Sequence, residues 1–322
     1  MQIADNTKIL MFYEMKRIRM VQDHIESHYL QDEMKTPVHL CIGQEAVAVG
    51  ACSALQKTDY ISSNHRSHGH YLAKGGNLNN LIAELHCKMT GCSKGYGGSM
   101  HIVDTSVGHM GSSSIVGGGI PIGTGLGLAI SMKQQNSVSV IFFGDGAADE
   151  GVLYESINFA ILKKLPVIYI LENNQWSVCS HVSSRQAGKN IFHHAPQKLL
   201  MTKKIDGNNV LEVYETVSEA VNFARKGYGP SFIECETYRI LGHAGCASQD
   251  ADGYRDLKEA DEWKKKCPVN TFQEKLIQGN FLSIEDIENM ESRIQAEIED
   301  AFDFAQKSPL PPSHEMTNYL FK

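Results

Sequence analysis

Apolar side chains recur at helical spacing over residues 7–31, with Ile9, Phe12, Ile18 and Ile25 among them, and this predicts an amphipathic helix. Two more helices are expected in GQEAVAVGACSAL (43–55) and NLNNLIAELHCKM (77–89), the second capped by Asn77 or Asn79. From residue 137 the pattern changes to short apolar runs separated by helical ones. SVSVIFF, PVIYILE and PSFIECETY read as strands; EGVLYESINFAILKK and NVLEVYETVSEAVNFARKG read as the helices between them. Strands that are apolar throughout, rather than alternating, belong to a parallel sheet buried on both faces. The predicted class is therefore α/β, with a parallel sheet covered by helices on both faces. Residues 1–322 are expected to form one domain, with a helical arm over about 1–36 and a charged helical tail over about 256–322. Residues 186–197 read as an irregular crossover. Residues 91–119 are rich in Gly and Ser, a composition common in linkers, yet they carry Met, His, Ile and Val and run into a helix. That stretch predicts an ordered loop that lets backbone approach a ligand.

Charge and cysteines narrow the class of partner. The net charge is -7, from 30 basic and 37 acidic residues, and no basic block is interleaved with aromatics, which argues against nucleic acid. The apolar runs are too short to cross a bilayer, and MQIADNTKIL lacks the features of a secretory leader, so a cytoplasmic protein is expected. Eight cysteines without a CxxC pair fit reduced, buried thiols better than a disulfide or metal framework.

The chemistry centres on GDG at 144–146. A glycine turn entering a helix suits a phosphate, but Asp145 would repel one. Asn173 and Asn174 end the next predicted strand, and the 29 residues from Asp145 to Asn174 make one strand–helix–strand unit. Ligands in open parallel sheets collect at the carboxyl ends of strands, so both side chains can reach one crevice. Carboxylate and amide oxygens are hard donors suited to Mg²⁺, which keeps sites for water and substrate phosphate. The metal resolves the conflict: it screens Asp145 while Gly146 and Ala147 offer N–H groups to a diphosphate. Two other readings stay open. GDGAAD is a partial dinucleotide fingerprint, although its third glycine position is Asp149, and GTGLG at 123–127 is another partial match; GDG is also compatible with a turn alone.

G-D-G followed about thirty residues later by N-N resembles the thiamine diphosphate motif. Surrounding blocks resemble the alpha subunit of the first component of 2-oxo acid dehydrogenase complexes, including acetoin and pyruvate dehydrogenases. From about residue 37 to 265 they run GQEAVAVG, HRSHGHYLAKG, GYGGSMHI, SIVGGGIPIGTG, GDGAADEG, LPVIYILENN, GPSFIECETYR and GH at 242–243. The resemblance implies Mg²⁺ ligation by Asp145, Asn174 and the backbone carbonyl of Trp176, and diphosphate contacts from Gly146 and Ala147. It places His65 and Arg66 against the cofactor, Arg66 having the geometry for bidentate phosphate binding. A zinc site or a solvated loop is the other explanation of HRSHGH. Ser114 and Val116 match the loop beneath the cofactor, where an apolar side chain wedges between its rings. His68 and His243 match histidines near the reacting carbon, with roles in catalysis as oxyanion donors or proton carriers; Arg239 supports the His243 loop or pairs with an acid.

Thiamine enzymes activate the cofactor with a glutamate on a pyrimidine-binding domain, for which this chain has no room. Glu45 lies in a segment that belongs to the alpha subunit in the family, whereas the activating acid lies in the beta subunit. The resemblance thus implies a beta partner, a heterotetramer and inactivity of the isolated chain. The implied reaction is decarboxylation of a 2-oxo acid or cleavage of acetoin, with transfer of the acyl unit to a lipoyl carrier on an acyltransferase. The alternative is a stand-alone thiamine-dependent transferase that ligates the acyl unit onto a carbonyl acceptor such as a keto sugar. Four departures from the family pattern lie near the expected mouth of the site: Ala244 where a phosphorylatable Ser is common, an unusual run at 244–255, Asp149-Glu150 for a frequent Asn-Gln, and Gln175.

Overall fold

The computed structural model describes residues 3–188, 191, 195–245, 253–315 and 317–318. Helix α1 (Asp5–Tyr29) turns Phe12, Ile18 and Ile25 inward, as its periodicity predicts, while Ile9 stays partly exposed. Next come α2 (Glu45–Ser53), β1 (Tyr60–Asn64), α3 (His68–Ala73) and α4 (Leu78–Leu85). Asn77 caps α4 by accepting from the Asn80 N–H, which settles the choice between the two asparagines. Strand β2 (His109–Ser113), α5 (Gly119–Met132), β3 (Ser139–Gly144), α6 (Gly151–Lys163) and β4 (Val167–Asn173) follow. A two-stranded antiparallel hairpin, β5 (Trp176–Ser177) and β6 (Ser180–His181), leads to β7 (Met201–Asp206), α7 (Val210–Arg225) and β8 (Ser231–Glu236). The tail carries α8 (Leu257–Lys265), α9 (Pro268–Gln278) and α10 (Ile284–Lys307), the last opened by a Ser283/Asp286 capping box.

Six parallel strands form one sheet in the order β2-β1-β3-β4-β8-β7. Side-chain alternation divides its core in two. Val140, Phe142, Ile168, Ile170 and Ile233 point to the face covered by α2 and α7, where they meet Val47, Val213 and Val217. Ile141, Phe143, Tyr169, Leu171 and Phe232 point to the opposite face, with Ile120, Leu153 and Ile157 of α5 and α6. Each large side chain so buried contributes roughly 1.5–3 kcal/mol. A third cluster joins α1 to α4 and to the tail helices α9 and α10, so arm and tail pack into a common core.

Three strands of this sheet escape the sequence pattern, as do the two of the short hairpin: β1 (YISSN), β2 (HMGSS) and β7 (MTKKID) are too polar to read as strands. In β1 the serines have a packing reason. Helix α5 lies so close that a Cβ on Gly123 would sit 2.4 Å from Ile141 Cγ1 and 2.7 Å from Ser62 Oγ. Small residues on both sides are what allow that approach. Residues 91–119 are ordered, as expected, around a buried acid. The Glu84 carboxylate accepts from the N–H groups of Ser93, Gly95, Gly97 and Gly98 at 2.8–3.0 Å. Much of the crossover at 186–197, and 246–252 within the divergent run after Ala244, lie outside the described residues. The seven described cysteines are free, and among the described residues no helix is long and apolar enough to cross a membrane.

Candidate active site

The chain runs from β1 outward to β2 and then returns to β3 on the other side of β1. The crevice between β1 and β3 is thus a switch point in strand order, where α/β sheets bind ligands. A cavity of about 270 Å³ opens there, lined by residues that follow β1, β2, β3 and β4, and by the His243 segment. Parallel pairing puts Gly144 opposite Glu172. Asp145 and Asn174, one and two residues further along their chains, therefore emerge side by side at the cavity wall. His65, Arg66, Ser114, Val116, Asp145, Gly146, Ala147, Asn174, Trp176 and His243 all line it.

His68 is not among the lining residues. It lies on α3 at 0% exposure, with Nε2 2.8 Å from Ser99 Oγ and Nδ1 3.3 Å from Gln22 Oε1. Both ring nitrogens are engaged in packing α3 against α1 and the Gly-rich loop, away from the cavity wall. The histidine that stands beside His65 and His243 is instead His39, with ring centroids 4.8 and 5.1 Å from theirs. Burial first, then the nearby Arg66 guanidinium, lowers all three: His39 to about 4, His65 to about 2 and His243 to about 3. They are neutral imidazoles at pH 7, able to donate and accept without carrying charge.

Arg66 is buried at the cavity wall, but its fork faces backbone. Nη1 donates to the Leu40 carbonyl at 2.5 Å and Nη2 to the His243 carbonyl at 3.1 Å. That arrangement fixes the His243 loop and leaves those nitrogens engaged, unlike the bidentate phosphate contact expected of it. Arg239 donates to the Val178 carbonyl (3.2 Å) and the Tyr254 hydroxyl (3.1 Å), so it braces the β5 segment; Arg255 holds the carbonyls of Arg239 and Leu241 that lead to His243. Glu45 is committed elsewhere, accepting from Arg19 and from the Gly43 N–H.

The residues present fit a divalent cation carrying a diphosphate. Asp145, 1% exposed, supplies a carboxylate, and burial raises its pKa while the Arg185 guanidinium offsets part of that rise. Asn174 presents Oδ1, which accepts the Trp176 N–H at 3.1 Å. Gly146 makes the cradle: an added Cβ would lie 2.4 Å from Ser177 Oγ. Arg185 bridges Asp145 and Asp149. The extra negative charge of Asp149 thus has a counterion, a residue outside the family-like blocks and invisible to motif reading. Sequence reasoning also passed over His39, Gln44, Asn64 and Glu172, all cavity residues. The available signal was Glu172 itself, a carboxylate directly after the apolar run of β4.

Residues 13–314 match the dehydrogenase E1 component family. The chain belongs to that family. Its relatives include the alpha subunit of acetoin:2,6-dichlorophenolindophenol oxidoreductase from Bacillus subtilis, 36% identical over 100% of this chain and 95% of that one. The pyruvate dehydrogenase E1 alpha subunit of Porphyra purpurea is 35% identical over 98% and 93%. The human somatic mitochondrial form is 32% identical over 97% and 79%. E1 membership agrees with the parallel α/β architecture and with the alpha-subunit resemblance of the sequence blocks.

Proposed function

We propose that this E1 chain is the diphosphate-binding alpha subunit of a thiamine diphosphate-dependent dehydrogenase acting on a pyruvate-like 2-oxo acid or on acetoin. In this reading residues 1–322 act as one domain and the protein is cytoplasmic. The observation that carries it is the convergence of Asp145 and Asn174 at adjacent strand ends, beside a glycine cradle and a neutral imidazole pair, His65 and His243.

Asp145, Asn174 and the Trp176 carbonyl would hold Mg²⁺, and the N–H groups of Gly146 and Ala147 would receive the diphosphate. When bound, thiamine diphosphate supplies a carbanion that attacks a carbonyl and stabilises the charge left by C–C cleavage. This chain's own part is to bind and orient. Val116, 48% exposed on the cavity rim, is free to wedge against an apolar ring. His243, held by Arg66 through its carbonyl, can donate to oxygen as negative charge develops there. Phe142, Phe143 and Ile120 keep the base of the cavity apolar. The activating glutamate belongs to a beta partner, with which the chain forms a heterotetramer, and the acyl unit passes to a lipoyl acyltransferase.

The test is turnover of the co-expressed alpha–beta pair with pyruvate and acetoin, each with and without a lipoyl domain. Acyl-lipoyl product that requires both subunits supports the reading. Product that forms equally well without a lipoyl domain, on a keto-sugar acceptor, would assign the pair to the transferases. No product from any donor, together with tight NAD binding by the pair, would remove the thiamine reading.

A further inference from the structure

Behind the proposed metal ligands lies a buried chain of side chains, Gln44, Glu172, Asn64 and His70, to which the sequence resemblance assigns no role. Asn174 Nδ2 donates to Gln44 Oε1 at 3.1 Å. Gln44 Nε2 donates to Glu172 Oε1 at 3.3 Å. Asn64 Nδ2 donates to Glu172 Oε2 at 3.1 Å, and the Asn64 Oδ1 accepts the Arg66 N–H at 2.8 Å. His70 Nε2 lies 3.3 Å from the same carboxylate, with its Nδ1 2.7 Å from Ser63 Oγ. Gln44 and Glu172 are 2% and 3% exposed, so water cannot replace a missing partner at low cost.

The polarity of this chain is set from one end. An ionised carboxylate only accepts, so Gln44 must turn its NH₂ toward Glu172. Its carbonyl then faces Asn174, which must turn its own NH₂ toward Gln44. The remaining edge of the Asn174 amide, the oxygen, is left toward the β5 segment, where one lone pair takes the Trp176 N–H and the other is available to a cation. An amide turned the other way would offer a metal its NH₂ and repel it.

We infer that Gln44 and Glu172 are positioning residues that orient the Asn174 amide so that its oxygen, and not its nitrogen, faces the bound divalent cation. The inference rests on the reading of Asp145 and Asn174 as metal ligands. Residues that orient metal ligands typically change metal affinity by about 10–100-fold when altered.

The test uses the full-length chain co-purified with its beta partner. Mn²⁺ is titrated in the presence of thiamine diphosphate and free Mn²⁺ is followed by electron paramagnetic resonance. Gln44→Leu is expected to weaken Mn²⁺ binding about tenfold or more. Glu172→Gln is expected to weaken it less than Gln44→Leu does, because the new amide can turn its NH₂ toward Asn64, leaving Asn174 in place, or toward Gln44, which turns Asn174 over. The swap Gln44→Glu with Glu172→Gln is the decisive variant. A carboxylate at 44 accepts from both Asn174 and the new amide at 172, whose oxygen still accepts from Asn64, so the polarity is restored. Binding should return to within about threefold of the wild type, which a purely structural role would not predict for a double change in a buried pair. Asp145→Asn separates the two claims. If that variant loses Mn²⁺ binding while Gln44→Leu does not, or if the swap fails to restore it, the orienting role is wrong. If Asp145→Asn binds Mn²⁺ like the wild type, the metal-site reading itself fails.

Discussion

Replacing Glu84 by Gln should dismantle the ordered glycine loop while leaving volume and backbone almost unchanged. The carboxylate is 0% exposed, and each oxygen serves two N–H groups: Oε2 takes Ser93 and Gly95, Oε1 takes Gly97 and Gly98. An amide keeps one accepting oxygen and turns an NH₂ toward the other two donors. Two hydrogen bonds to a charged group are lost, each contributing about 1.5–3 kcal/mol, so the cost is about 3–6 kcal/mol. That is a large share of the 5–15 kcal/mol typical of a folded domain. Glycine is needed here as much as the acid, since a Cβ on Gly91 would lie 2.3 Å from Glu84 Oε2. Urea denaturation monitored by circular dichroism gives the global cost. Hydrogen exchange at Ser93, Gly95, Gly97 and Gly98 shows whether it is local, with those four amides losing protection before the sheet does. A change below about 1 kcal/mol with unaltered exchange at the four amides would refute the reasoning.

Gly146→Ala should lower thiamine diphosphate affinity in the alpha–beta pair, because the new methyl would meet Ser177 Oγ at 2.4 Å and push the β5 segment; calorimetric titration checks this, and unchanged affinity would count against the cradle. Arg185→Gln should strengthen binding of Mg²⁺ alone, since it removes the cation that pairs with Asp145, and the same Mn²⁺ titration without cofactor reads the shift. Acid should destabilise the chain through the three clustered histidines. Their folded pKa values, about 4, 2 and 3, lie below the ordinary 6.5, so unfolding takes up protons; the stability present above pH 6.5 is lost as pH falls below it, down to about 4 for His39 and on to about 3 and 2 for His243 and His65. A denaturation midpoint measured from pH 7.5 to 4.5 should decline across that window, and removing His65, His39 and His243 together should flatten the decline.

The strands that form the middle of the sheet were legible because apolar side chains cover both faces of β3, β4 and β8. Their carboxyl ends follow from that pattern, and the GDG turn and the Asn-Asn pair at those ends mark Asp145 and Asn174. The outer strands were not legible, because β1 meets a glycine-lined helix and needs serine where a generic strand would carry valine. The same limit applies within the site. Glycines and strand ends mark Asp145, Gly146 and Asn174, whereas His65, Arg66 and His243 stand out only through the family resemblance of their blocks. Residues embedded in a helix cap or in a strand, such as Gln44 and Glu172, look like ordinary polar residues until pairing brings them together. His39 precedes α2 by a few residues and is placed by neighbours remote in sequence: its N–H donates to Ser99 Oγ, the next carbonyl, Leu40, accepts from Arg66, and its ring meets His65. His68 shows the converse: a histidine in a suggestive cluster whose position on α3 turns it toward Gln22 and Ser99.

The central claim concerns one cation shared by Asp145 and Asn174. Crystals of the alpha–beta assembly grown with Mn²⁺ and thiamine diphosphate, and measured for anomalous scattering from manganese, test it most directly. The account predicts one strong peak in each alpha chain within bonding distance of an Asp145 oxygen and Asn174 Oδ1, with the diphosphate beside Gly146 and Ala147. A peak at the His39, His65 and His243 cluster, or an ordered diphosphate with no metal at Asp145, would contradict it.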